Sequence, residues 1–315
     1  MSSYFIRPDV EAFLQRRAAA KPPQLSQMTP TAARALFLSA RPLVDKPIGD
    51  LAFDRIVVAK GAGGNIPIRI VDSRPSRGPS PILIFYHGGG FVLGNLESHA
   101  SICAAVARRL DIPVAAVDYR LAPEHPWPAA PDDAEAAARW IVDNAATLGR
   151  AATSLVLAGD SSGGALSLIT ALALRNRPAA VPVVAAWCVY PAVDAYGACG
   201  IHESAKLFAS GFSSTAEDSA WFAAQYRPDK NNWRASPIKA ELAGLPPLLI
   251  SVAGLDPLRD QGRAVAAAAI QAGVWVLFRE ERGTIHGWAG LRRALPSAAA
   301  DLDANLEQLK FLIEA

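Results

Sequence analysis

From residue 81 onward, short runs of Val, Ile, Leu and Ala take turns with longer segments of helical periodicity, and this alternation constrains the fold more than any other feature of the chain. The runs at 81–86 (PILIFY), 113–119 (PVAAVDY), 154–159 (SLVLAG), 181–190 (VPVVAAWCVY), 245–254 (LPPLLISVAG) and 274–280 (VWVLFRE) are apolar nearly throughout, the pattern of strands buried on both faces. Segments 98–110, 132–148, 162–175, 258–272 and 298–312 read as helices. Upstream, FDRIVVA (53–59) and IPIRIVD (66–72) flank the turn KGAGGN, a hairpin signal. Eight such strands predict an α/β fold: a mostly parallel sheet with helices on both faces and its reactive groups at the carboxyl ends of the strands. With 315 residues, 51% of them hydrophobic, the chain has the material for a large core, and disorder is excluded as its main state.

Two regions fall outside this rhythm. Residues 9–45 read as helical, with FLQRRAAA and TAARALFLSA as the segments and Pro22, Pro23 and Pro30 as breaks. Residues 192–234 are richer in aromatic and polar groups. The division expected is cap helices over 1–45 and a catalytic domain over 46–315, with 192–234 as a cap insertion.

Charge narrows the class of partner. Lys and Arg number 31 against 29 Asp and Glu, a net +2, with no basic stripe, so no nucleic-acid partner is expected. Arg7, Arg16, Arg17, Lys21, Arg34, Arg41 and Lys46 are dispersed and read as a solvated helical face. No apolar run reaches the roughly 18 residues of a membrane span, and MSSYFIRPDV lacks a signal-type apolar stretch. Neither membrane insertion nor export is expected, and the expected location is cytoplasmic. Three widely spaced cysteines, Cys103, Cys188 and Cys199, argue against a disulfide framework and for a reducing compartment. No CxxC occurs, and His87, His99, His125, His202 and His286 form no HxxxH pair, so no metal site is expected. The late strand 274–280 could pair with a second copy across a two-fold axis.

LAGDSSGGA (157–165) sits at a strand–helix junction and contains G-x-S-x-G as Gly159, Ser161 and Gly163. At such a junction this spacing is a nucleophile elbow, with small residues two before and two after a strained serine at a helix N-terminus. Ser162 is off-centre, and its expected contribution is its backbone N–H. After strand 81–86 come His87, Gly88, Gly89 and Gly90, whose backbone N–H groups can converge on a developing oxyanion. His87 is read as holding that loop.

The acid and base should follow Ser161 in the order acid, then His. His202 lies in the irregular insertion, whereas His286 lies just after strand 274–280 and is the expected base. Asp256 follows strand 245–254 and has two readings, triad acid or helix cap. Asp260 is expected to be solvated or paired with an Arg, and Asp194 comes too early. In DYRLAPEHPWPAA (118–130), Asp118, Arg120 and Glu124 are expected to pair and brace an irregular loop. Phe208, Phe212, Trp221, Phe222 and Trp288 could line a substrate pocket or form the cap core.

With HGGGF at 87–91, DYRLAPEHPWPAA, GDSSGG at 159–164, DPLRD at 256–260 and HGW at 286–288, in that order, the chain from about residue 45 resembles the hormone-sensitive-lipase-like (bacterial family IV) carboxylesterases. The resemblance implies an α/β-hydrolase fold with a helical cap and cofactor-free hydrolysis of short-to-medium acyl esters. It implies a triad of Ser161, Asp256 and His286, and oxyanion donors on Gly88, Gly89, Gly90 and Ser162. Ser162 stands where the family usually has Ala, and Trp288 where it usually has Phe. A receptor that has lost catalysis, a long-chain lipase and an amidase are the competing readings on the same fold.

Overall fold

The computed structural model describes residues 4–194 and 202–315. Cys199 and the rest of 195–201 in the insertion lie outside them. Eight strands form one sheet: β1 (Phe53–Gly61), β2 (Gly64–Asp72), β3 (Ser80–Tyr86), β4 (Val114–Val117), β5 (Ala152–Asp160), β6 (Val183–Val189), β7 (Leu248–Leu255) and β8 (Val276–Ile285). Their order is β1-β2-β4-β3-β5-β6-β7-β8. β1 and β2 form the hairpin, β2 meets β4 antiparallel, and every later pairing is parallel.

The helices are α1 (Pro8–Ala20), α2 (Pro30–Val44), α3 (Ala100–Leu110), α4 (Ala129–Asn144), α5 (Ser162–Asn176), α6 (Glu203–Leu207), α7 (Ala216–Tyr226), α8 (Arg259–Gln271) and α9 (Ser297–Glu314). The sheet separates two cores. Apolar faces of α4, α5 and α8 close one side, and those of α3 and α9 close the other. β5, in the middle of the sheet, and β7, flanked by β6 and β8, are buried along almost their whole length, which is why their sequence is mostly Val, Leu, Ile and Ala rather than alternating.

The strand expected at 113–119 is shorter than its apolar run: β4 covers Val114–Val117, and beyond it the Asp118 N–H still reaches β2, at Pro67 O. The strand expected at 274–280 runs on to Ile285. Pro30 is not a break but the first residue of α2, where its fixed φ suits the first turn, and Thr29 caps the helix through the Ala32 N–H.

The basic residues of the N-terminal helices are not a solvated face throughout. Arg7 makes a double contact with Asp301. Arg34 donates to the carbonyls of Val92 and Ala122 and to both oxygens of Glu124. Arg41 lies 4.5 Å over the Phe37 ring. The long apolar stems and forked heads of these arginines pack α1 and α2 onto the sheet domain.

The expected mutual pairing in DYRLAPEHPWPAA is also not what forms. Arg120 grips the buried Asp133 of α4, Glu124 grips Arg34, and Asp118 accepts the Leu96 N–H while burial raises its carboxyl to about 6. The loop is braced, but to its neighbours rather than to itself. A carboxylate and a guanidinium two residues apart in an irregular stretch give no information about which of them face each other.

Candidate active site

Ser161 follows β5 directly and precedes α5. Its backbone is held at φ 56°, ψ −116°, the left-handed half of the map that a side chain avoids. Two contacts impose this turn: the Ser161 N–H donates to Val189 O at 2.8 Å, and its carbonyl accepts from Ala192. The flanking glycines are required by space. A Cβ on Gly163 would run into the Tyr86 carbonyl oxygen, and one on Gly159 into the Gly163 backbone. The helix therefore sits hard against β3, and the serine stands clear of both.

His286 is the residue after β8, and Asp256 the residue after β7. The two strands are neighbours, so the imidazole and the carboxylate meet at one end of the sheet. His286 Nδ1 lies 2.7 Å from Asp256 Oδ2, and Nε2 lies 2.9 Å from Ser161 Oγ. Asp256 is fully buried. Its Oδ1 accepts the Leu258 N–H at 2.8 Å, so the carboxylate holds the turn into α8 and the imidazole at the same time. Burial alone would lower the His286 pKa, but the Asp256 charge and hydrogen bond, with Asp160 beyond, raise it above the ordinary 6.5. Tyr190 packs its ring 4.7 Å from the imidazole.

The alternatives have other partners. Asp260 binds Arg259 and Arg263, as expected, and also accepts the Ser204 N–H from α6. Asp194 pairs with His202 at 3.2 Å.

The glycine loop lies beside Ser161. His87 Nδ1 bonds the Gly88 carbonyl, its ring stacks on Tyr119 at 4.3 Å, and the Tyr119 hydroxyl donates to His87 O. Burial pushes the His87 imidazole down to about 3, so it is a neutral structural group. The Gly88 N–H donates to Asp160 Oδ1 at 2.8 Å, which removes it from the donors that can meet a substrate. Gly89 and Gly90 have φ of 123° and 63°, and Phe91 also has positive φ. Ser162 opens α5, and its Oγ is buried without a partner among the described residues.

The five aromatic candidates separate. Phe222 packs on Gly90, where a Cβ would strike its ring, and Trp221 sits edge-on to it at 5.2 Å. Phe208 and Trp288 have no exposed surface: Phe208 is enclosed by Tyr4 and Phe212, and Trp288 packs edge-on against Tyr190. Nothing in the sequence assigns a role to Asp160 or His99. Asp160 lies inside GDSSGG and was legible as a position, but its contact with a loop 72 residues earlier was not.

Comparison with known proteins points the same way. Residues 83–290 match the Abhydrolase_3 family model, described as an α/β hydrolase fold. Carboxylic ester hydrolase LipN of Mycobacterium tuberculosis is 40% identical over 79% of this chain and 68% of that protein. The ethyl acetate hydrolase of Pseudomonas putida is 34% identical over 97% of this chain and 98% of its own. Among solved structures, the α/β hydrolase LAE6 from the metagenome of Lake Arreo superposes with a TM-score of 0.92 at 33% identity, covering 99% of each chain. An esterase of Pyrobaculum calidifontis gives 0.89 at 32%, covering 98% of this chain and 100% of its own.

Proposed function

The chain belongs to the hormone-sensitive-lipase-like family IV of the α/β hydrolases and is a carboxylic ester hydrolase, and we propose that it cleaves short-to-medium acyl esters through an acyl-enzyme on Ser161. The observation that carries this reading is the unbroken line from Asp256 through His286 to Ser161 Oγ. His286 takes the Ser161 proton as the oxygen attacks the acyl carbon, and returns it to the leaving alkoxide. Asp256 fixes the tautomer and stabilises the imidazolium. Water, activated by the same imidazole, then releases the acid. Gly89, Gly90 and Ser162 supply the N–H donors for the oxyanion, with Gly88 acting behind them.

The cap consists of residues 1–45 and the 192–234 insertion. Support for treating them as one unit comes from Ser26, whose hydroxyl donates to Glu217 of α7, and from Tyr4 against Phe208. Phe222 on Gly90 narrows the space beside the oxyanion loop, which favours small acyl groups. The ethyl acetate hydrolase relative supports the same choice. Among the described residues no helix is long and apolar enough to cross a membrane. Cys103 and Cys188 are buried free thiols, which supports a reducing, cytoplasmic setting. Two copies join through β8.

The test is a series of p-nitrophenyl esters of increasing acyl length, run on the protein and on Ser161→Ala. Activity should peak at short-to-medium chains, and the variant should lose on the order of 10⁶ in kcat. An active Ser161→Ala protein would rule out the acyl-enzyme, and a peak at long chains would rule out the substrate class.

A further inference from the structure

Asp160 takes no part in the triad, yet its carboxylate is buried one residue from the nucleophile. Oδ1 accepts the Gly88 N–H at 2.8 Å. His99 Nε2 stands 3.4 Å from the same oxygen. The other imidazole nitrogen, Nδ1, is 2.8 Å from Ser98 Oγ. The His99 ring stacks on Phe37 of α2 at 6.2 Å and lies 5.4 Å from the His87 ring. Gly88 and Asp160 are also in steric contact, since a Cβ on Gly88 would strike the carboxylate. Burial opposes the charge on Asp160, but His99, the Gly88 N–H and His87 hold its carboxyl below the usual range.

Oxyanion donors act only when they stand about 2.7–3.1 Å from the point where the charge develops. A run of three glycines has no side chains with which to fix that spacing. Here a single residue links the two halves of the machinery: Asp160 is bonded covalently to Ser161 and through its carboxylate to the donor loop. We propose that Asp160 and His99 form a positioning pair that sets the distance between the Gly88–Gly90 loop and Ser161 Oγ, with Phe37 of α2 seated on the imidazole. This inference rests on the ester-hydrolase reading above. The pair touches no reacting atom and accepts no proton from the substrate. It acts on the transition state more than on the ground state, because the carbonyl oxygen needs well-placed donors most when it becomes negative.

Steady-state hydrolysis of p-nitrophenyl butyrate by the whole chain tests it. His99→Phe keeps an aromatic ring against Phe37 and His87 but removes the ring nitrogen 3.4 Å from Asp160; His99→Gln returns a polar group that can donate. Asp160→Asn keeps the shape and removes the charge. His99→Phe should lower kcat by about 10-fold or more while KM stays within about twofold, and His99→Gln should recover most of the loss. Asp160→Asn should approach the roughly 10²–10³ that follows loss of one oxyanion donor. Inactivation by an alkyl phosphonate ester, which places a charged oxygen in the same hole, should slow in step with kcat. A folded His99→Phe protein with kcat within twofold of the parent overturns the proposal. So does a loss carried by KM, or one that tracks Tm and is not regained in His99→Gln. If the parent itself fails to hydrolyse esters, or Ser161→Ala stays active, the ester-hydrolase reading falls, and this inference falls with it. An active parent with an inactive Ser161→Ala and an unaffected His99→Phe removes the inference alone.

Discussion

A buried carboxylate whose two oxygens do different jobs decides the chemistry at the level of single residues. Asp256 Oδ1 holds the Leu258 N–H and Oδ2 holds His286, so Asp256→Asn should leave the turn into α8 formed while inverting the preferred imidazole tautomer. Turnover should fall about 10⁴-fold with little change in Tm. The pH profile separates tautomer from charge. The base must be neutral, and its pKa is raised above 6.5, so kcat/KM should fall as pH drops through a value above 6.5. The Asp256 charge is what holds that value up against burial. In Asp256→Asn the residual activity should therefore have its acid limb at lower pH. A limb that stays in place would deny Asp256 this role. Ser162 is the opposite kind of residue, a buried hydroxyl with no partner among the described residues. The oxyanion role proposed for this residue rests on its N–H and not on its Oγ. Ser162→Ala should stabilise the fold by about 1 kcal/mol, read as a rise in the denaturation midpoint, with kcat within a few-fold of the parent.

The elements themselves were legible because their periodicities are unambiguous. Each strand expected from its apolar run is present, and each helix of the sheet domain lies within a few residues of its periodic segment. What sequence could not supply is the set of contacts between distant positions. Arg34 reads as one cation among several on a helix, and only the fold shows that it joins α2 to the carbonyls of Val92 and Ala122. Gly88 reads as an oxyanion donor like its neighbours, and only the approach of β5 to that loop shows its N–H committed to Asp160. Phe208 and Trp288 carry no mark in sequence that separates core from pocket. The elbow is the exception, because there the spacing is the contact: Gly163 must be glycine where α5 meets the Tyr86 carbonyl. Gly163→Ala should cost about 3 kcal/mol and displace Ser161, so the variant should show both a lowered midpoint and lost activity. Gly273, at the end of α8, is the control: it has open space, and although its φ of 79° makes an alanine strained, nothing there touches the site. Gly273→Ala should destabilise by about 1 kcal/mol with kcat retained.

At the scale of the whole molecule the sheet has two ends, and they differ. β1 begins one edge and β8 the other. At the β8 edge, Trp275 is 46% exposed, Phe278 40% and Phe311 56%, with Ile270 of α8 nearby in sequence and 57% exposed. Trp275 and Phe311 sit edge-on at 5.8 Å, so two elements contribute to one apolar surface. β8 carries Arg279, Glu280, Glu281 and Arg282 in its second half, where the Arg282 and Gly283 carbonyls accept from Arg7, so pairing is expected only along its first residues, 276–278, beside the aromatic patch. A two-fold axis beside β8 would place the same patch on itself and continue the sheet across both copies. Sedimentation at micromolar concentration should therefore show a dimer, and Phe278→Glu should shift it to a monomer. His286 lies at the far end of the same strand, one residue past Ile285. The monomeric variant should keep kcat within a few-fold at room temperature but lose activity sooner on heating, because the strand that carries the catalytic imidazole would have lost its outer neighbour. A parent that sediments as a monomer at tens of micromolar would exclude this pairing.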